Sequence, residues 1–160
     1  MLNFHKTERL CERSTILLLF HEGRRFAVNM DGNSLKVCYL FSSDKKKYKI
    51  ENNRNGKVHI DSVLDPTDGM PIGVSLEENV PKIKVLIGAP KSCLKHAVDR
   101  NRVKRLLKES FRLRKQEFYK LLSQERKEGL MISLMYTGSP RISFSKMDEY
   151  LQRVIQKIGK

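Results

Sequence analysis

The sequence predicts an α+β fold in the order helix, three strands, helix, strand, helix, and three stretches carry that prediction. Residues 95–115 repeat apolar side chains at helical spacing, with Val103, Leu106, Leu107, Ser110 and Phe111 on one arc and Arg102, Lys104, Arg105, Lys108, Arg112 and Lys115 on the other. Residues 24–41 hold two runs of strand-forming residues that meet at Asp31-Gly32, a pair suited to a tight hairpin connection. Met147, Tyr150, Leu151, Val154, Ile155 and Ile158 then define one face of a closing helix. A chain of 160 residues supports one domain with a substantial core and room for an insertion, so residues 1–160 are read as a single domain.

Each element follows from local pattern. Residues 1–9 are polar and read as loosely ordered. Leu10 to His21 reads as a short helix because Ile16, Leu19 and Phe20 recur at i, i+3 and i+4, with Gly23 as its stop. Spacing alone gives Phe20 a packing role. Arg24 to Met30 and Leu35 to Phe41 are the first two strands. In the second, Leu35, Val37, Tyr39 and Phe41 alternate with Lys36, Cys38 and Leu40, which gives it two unlike faces. Residues 42–80 read as an irregular insertion ahead of the third strand: Lys45-Lys46-Lys47, Asn52-Asn53-Arg54-Asn55-Gly56, Pro66, Gly69, Pro71 and Gly73 punctuate it, and only 57–63 suggests a short strand. Ile83 to Ala89 is the third strand, and Pro90-Lys91-Ser92-Cys93 ends it. The basic helix runs on to about Leu122, Leu130 to Tyr136 is a buried strand, and Ser145-Lys146-Met147-Asp148 resembles a capping box for the last helix.

Charge narrows the partners. Thirty-two Lys and Arg against 18 Asp and Glu leave the chain at +14, and residues 95–115 alone carry nine bases against Asp99 and Glu109. Basic helix faces are often merely solvated, but those usually interleave acids at i+4. Here Glu109 is the one acid after Asp99 in the stretch, and Arg predominates at Arg100, Arg102 and Arg105. Guanidinium groups make bidentate phosphate contacts and stack on bases, so the pattern points to nucleic acid. The first turns of the helix would present Arg100 and Arg102 to one phosphate region. Asn101 between them fits either a local backbone bond or a ribose or base edge.

Other chemistries find little support. No apolar run approaches the ~20 residues of a membrane span, and Ile16-Leu17-Leu18-Leu19-Phe20 is too short for a secretory signal. Cys11, Cys38 and Cys93 are odd in number and scattered, as are four histidines, which suggests reduced thiols in a cytoplasmic protein without a zinc site. The acids are dispersed; Asp65-Pro-Thr-Asp68 in the insertion is the best approach to a metal site and reads as ordinary turn chemistry. No catalytic residue and no metal ligand is assigned.

One family accounts for the basic helix. Ala97-Val98-x-Arg100-Asn101-Arg102-Val103-Lys104-Arg105-Leu106-x-Lys108-x-x-Phe111-Arg112 closely resembles the signature of the bacterial ribonuclease P protein component, an Arg-Asn-Arg core followed by an aliphatic residue and Lys-Arg. The element order is similar as well. The resemblance implies a small α/β sandwich with a left-handed crossover around the basic helix. It implies that Arg100, Asn101, Arg102, Lys104, Arg105, Lys108 and Arg112 bind a catalytic RNA subunit, one protein per RNA. It further implies that magnesium ions held mainly by that RNA perform the hydrolysis, so the chain serves an endoribonuclease without containing its centre. Phe20 with Gly23, and Tyr39, match positions that bind the 5′ leader of precursor tRNA. Ile16 stands where the family often has another aromatic, and Phe41 reads as core or cleft wall. Lys91 keeps one of two adjacent basic residues, with Ser92 in place of the second. The alternatives are a structural or ribosomal RNA-binding protein without a processing role, and a DNA-binding protein that reads a groove with the basic helix. A membrane-surface role fits poorly, because the apolar face is short and needed for the core.

Overall fold

The computed structural model describes residues 4–41, 48–52, 58–62, 83–125 and 127–160. After a 3₁₀ turn at Lys6–Glu8 come α1 (Arg13–Glu22), β1 (Arg24–Met30) and β2 (Asn33–Phe41). A hairpin of β3 (Tyr48–Asn52) and β4 (Val58–Ser62) follows, then β5 (Ile83–Gly88), α2 (Ala97–Gln124), β6 (Leu130–Tyr136) and α3 (Phe144–Ile158). Four strands form one sheet in the order β1-β2-β6-β5. β1/β2 and β2/β6 are antiparallel, whereas β5 and β6 are parallel neighbours joined by α2. This is the predicted order with a hairpin added inside the insertion.

The insertion is therefore less irregular than its composition suggests. β4 falls where 57–63 hinted at a strand, and β3 pairs with it antiparallel, Tyr48 opposite Ser62 and Ile50 opposite Ile60. Tyr48-Lys49-Ile50 alternates for only three residues between lysines and asparagines, too little for periodicity to reveal. Lys45-Lys46-Lys47 and the Asp65/Asp68 pair lie outside the described residues.

The β1–β2 connection is the tight turn expected. Asp31 and Gly32 both take positive φ, 49° and 72°, which matches the right-handed twist of the flanking strands. The first helix starts later than its apolar pattern implies. Leu10 belongs instead to an extended segment whose N–H donates to the Val85 carbonyl at 2.9 Å, with Arg9 bridging Val85 in parallel. That segment lies along β5 and satisfies part of an otherwise open sheet edge. Gly23 ends α1 with φ at −68°, so left-handed freedom is not its purpose. A Cβ there would collide with the Leu19 carbonyl and reach within 2.6 Å of Cys38 Sγ; the helix end passes too close to β2 for any side chain. The last helix is capped by Ser143, whose Oγ accepts from the Lys146 N–H at 3.3 Å, two residues before the expected box.

Both faces of the sheet are covered, unequally. Leu35, Val37 and Tyr39 of β2 and Ile132 and Leu134 of β6 face a large core against α2 and α3, where Val103, Leu107, Phe111, Phe118, Met147, Leu151 and Val154 are fully buried. Each such side chain contributes about 1.5–3 kcal/mol of transfer free energy. The opposite face carries a smaller cluster, in which Leu10, Leu19 and Cys38 are buried and Ile16, Phe20, Leu40, Leu86 and Met131 pack around them. α1 covers only part of that face and leaves the rest open.

Candidate nucleic-acid interface

The basic helix sorts its cations into two groups. Asn101, Lys104, Arg105, Lys108 and Arg112 recur at i, i+3, i+4, i+7 and i+11, which aligns them in one stripe about 16 Å long. Asn101 and Arg105 are exposed, and Lys104, Lys108 and Arg112 are half-buried, their stems lying along the protein and their charges at its edge. Glu109 tempers the stripe: its carboxylate accepts from Arg112 Nε at 3.0 Å and from Nη2 at 2.6 Å. Those bonds hold the Glu109 carboxyl below its ordinary pKa and raise that of Arg112.

Arg100, Arg102, Arg114 and Lys115 of the same helix serve the fold. Arg100 does not reach outward beside Asn101; its Nη1 turns back to the carbonyls of Leu94 at 3.0 Å and Lys95 at 2.7 Å. Arg100 sits four residues before Lys104 on the flank nearer the core, where the lead-in loop offers unpaired carbonyls. Arg102 donates to the Pro140 carbonyl and so ties the helix to the β6–α3 loop. The expectation that both present themselves to a single phosphate region is therefore corrected, although each guanidinium keeps further N–H donors. Lys115, expected on the cationic arc, is instead 7% exposed and pairs with Glu8, itself 3% exposed. Arg114 clamps α2 to α3 through Asp148, at 2.9 and 2.6 Å, and also bonds Glu117 at 2.7 Å.

A second surface opens beside α1. A cleft of about 630 Å³ is lined by Phe20, by the β-sheet face it overhangs, and by Pro90, Ser92 and Cys93 after β5. Strand register lays out its floor: Arg25, Cys38 and Ser133 form one row across β1, β2 and β6, and Ala27, Lys36 and Met135 form the next. Arg25 donates to the Phe20 carbonyl at the end of α1, where a cation complements the helix dipole. The Cys38 thiol donates to the Leu19 carbonyl at 3.1 Å; burial pushes its pKa up, and Arg25 opposes the shift.

Of the residues expected at a leader-binding cleft, Phe20 lines it, and Lys91 is exposed between the lining residues Pro90 and Ser92. Ile16 is half-buried against the Leu10–Leu19–Cys38 cluster. Tyr39 and Phe41 are elsewhere. Strand alternation turns them to the large core, where the Tyr39 ring meets Phe26 and Phe41 edge to face at 5.9 and 5.6 Å. Tyr39 is only 7% exposed. The placement of Tyr39 in a cleft is corrected accordingly, and Phe41 takes the core side of its two readings, because a side-chain period of two puts 36 and 38, not 39 and 41, on the cleft side. Arg25, Lys36, Ser133 and Met135 were missed. The available signal was that β2 and β6 carry apolar residues in both alternating sets, as strands covered on two faces do.

Among the described residues no three His, Cys, Asp or Glu side chains stand together as metal ligands, and no helix is long and apolar enough to cross a membrane. The chemistry on offer is cationic, aromatic and hydrogen-bonding.

A family model described as Ribonuclease P matches residues 4–159 of the chain. The ribonuclease P protein component of Chlorobium phaeobacteroides is 33% identical over 84 residues, an alignment that spans 49% of this chain and 58% of that protein. The curated relative is thus matched over less than two thirds of its length. Two structures of the Staphylococcus aureus RNase P protein align with TM-scores of 0.54 and 0.51 at 12% and 14% identity. They cover 96% and 98% of this chain and 95% and 93% of theirs, a likeness of fold.

Proposed function

Because the chain belongs to the ribonuclease P protein family, we propose that it is the protein subunit of a ribonuclease P that removes the 5′ leader from precursor tRNA. The observation that carries this reading is the pairing of two unlike surfaces, a cationic stripe and an aromatic-edged cleft, on elements packed against opposite faces of one sheet. The α2 stripe suits a folded, phosphate-dense RNA: fixed cations at one-turn intervals with little base-reading chemistry. The cleft suits a single strand, since it combines Phe20 as a stacking edge with Arg25, Lys36 and the nearby Lys91 as phosphate contacts.

In this mechanism the stripe docks on the catalytic RNA subunit, one protein per RNA, and its cations replace condensed counterions there. The cleft holds the leader and so orients the junction between leader and mature tRNA against the RNA's active site. Magnesium, if held by the RNA, would supply Lewis-acid stabilisation and water activation there; this chain's residues bind, neutralise and orient. The products are a free leader and a tRNA with a 5′ phosphate. A cytoplasmic setting goes with this role.

The test is cleavage of a precursor tRNA at low magnesium by the RNA subunit alone, the protein alone and the two together. Cleavage at the mature 5′ end confined to the mixture is the expected result. No stimulation in the mixture would refute the processing role and favour a purely structural RNA-binding protein. Cleavage by the protein alone would refute a catalytic centre in the RNA.

A further inference from the structure

Ser133 presents an anomaly in the cleft. It lies in the middle of β6 and is 1% exposed, yet its Oγ has no hydrogen-bond partner in the free protein. The neighbouring Cys38 thiol does not serve it, being committed to the Leu19 carbonyl, and Leu86 flanks it on β5. An unpartnered buried hydroxyl costs stability, and an alanine would fit the same space. Ser133 is also among the residues that line the cleft.

The surroundings indicate what the hydroxyl meets. Met135 is half-buried and lies over Gly88, where an added Cβ would come within 2.9 Å of its Cε. Its row on the floor continues through Lys36 on β2 to Ala27 on β1. A thioether over a glycine makes an adaptable, apolar seat for a flat group. Lys36 and Arg25, by contrast, are exposed. A phosphate would keep its hydration at those cations and would lose it on the floor. A nucleobase reverses both preferences: its face matches the thioether and the Phe20 ring, and its polar edge needs a neutral partner. We propose that Ser133 is a specificity-determining residue, hydrogen-bonding the edge of one unstacked nucleobase of a single-stranded RNA held in the cleft, with Arg25 and Lys36 taking the flanking phosphates. This rests on the leader-binding reading and adds a base-selective seat on β6.

The experiment measures binding of short single-stranded RNAs of equal length to the full chain, without the RNA subunit. Each RNA carries one abasic position, and the most sensitive position is then varied through all four bases. The wild type should lose about tenfold or more in affinity when the seated base is removed. At that position the four bases should spread by about fivefold, the worth of one neutral hydrogen bond. Ser133→Ala should flatten the spread to within about twofold, leave the salt dependence unchanged, and raise the thermal midpoint by about 2–4 °C. Ser110→Ala removes a second unpartnered buried hydroxyl among the described residues, within the α2 core, and should leave the base ranking intact. The proposal is overturned if Ser133→Ala keeps the wild-type ranking, if no position in the wild type is base-dependent, or if the variant melts lower. Failure of the reconstituted cleavage assay would refute the processing role while leaving this binding result to stand or fall separately.

Discussion

Replacing Arg105 and Lys108 with alanine removes two neighbouring cations from the α2 stripe, and the structure gives the size of the effect. Arg105 is exposed and Lys108 half-buried, and among the described residues neither is engaged by a carboxylate, unlike Arg112 beside Glu109. If each contacts a phosphate of the RNA subunit, the double variant should lower the slope of log affinity against log salt by about 1.8, at about 0.9 for each contact. Over the range from about 50 to about 200 mM salt, that change compresses the difference between wild type and variant roughly tenfold. The assay is a titration of labelled RNA subunit at several potassium concentrations. Lys146→Ala is the control, since that lysine is exposed on α3 and pairs with Asp31, away from the stripe. Neither substitution touches the core, so the double variant should keep its stability to within about 0.5 kcal/mol. An unchanged slope, or an equal fall in the Lys146→Ala control, would refute the assignment of the stripe to RNA docking.

Two further predictions follow from placement and pKa. Tyr39→Phe should leave precursor tRNA affinity within about twofold of wild type, because the ring belongs to the core; Phe20→Ala should weaken precursor relative to mature tRNA by about tenfold, the worth of one stacked base, as competition binding of the two tRNAs would report. Asp148 is held below its ordinary pKa by hydrogen bonds from Arg114, despite some opposing desolvation. A depressed folded pKa means the stabilisation is complete above the unfolded value near about 4 and is lost as pH falls through the folded one. Asp148→Asn should therefore lower the unfolding free energy from urea titration by about 1 kcal/mol at pH near 7, and the two proteins should converge as pH falls through the depressed folded pKa of Asp148.

The sequence shows the architecture more clearly than the site, for reasons visible in particular residues. Leu107, Phe111 and Phe118 sit in the core because helical spacing leaves them no other face, and Asp31-Gly32 supports positive φ at both turn positions. Such features are local and can be read one element at a time. The cleft is not local. Arg25, Lys36 and Ser133 lie on three strands, and only the register Arg25↔Cys38↔Ser133 brings their rows together. Alternation in β2 was legible; which alternating set faces the cleft depended on where α1 packs. Leu19, Phe20 and Cys38 settle that through the small second core. The misplacement of Tyr39 came from that missing contact, and the misplacement of Lys115 from its partner Glu8, more than 100 residues away in sequence.

The Arg-Asn-Arg sequence at the start of α2 shows how one short motif combines structure with recognition. A helix that carries a stripe of like charges gains nothing from its own repulsion, so its position must be fixed by contacts outside the stripe. Arg100 secures one side, bonding the Leu94 and Lys95 carbonyls of the loop that descends from β5. Arg102 secures the other, bonding the Pro140 carbonyl between β6 and α3. Farther along, Arg114 locks the helix to α3 through Asp148. Lysine would serve poorly at these sites, because one guanidinium can span two carbonyls or a carboxylate fork while an ammonium cannot hold that geometry. Between these anchors Asn101 begins the outward row that continues through Lys104, Arg105, Lys108 and Arg112. The alternating pattern thus follows from helix geometry: residues 100 and 102 fall on either flank, where the adjoining loops lie, and residue 101 falls between them on the face proposed to dock RNA.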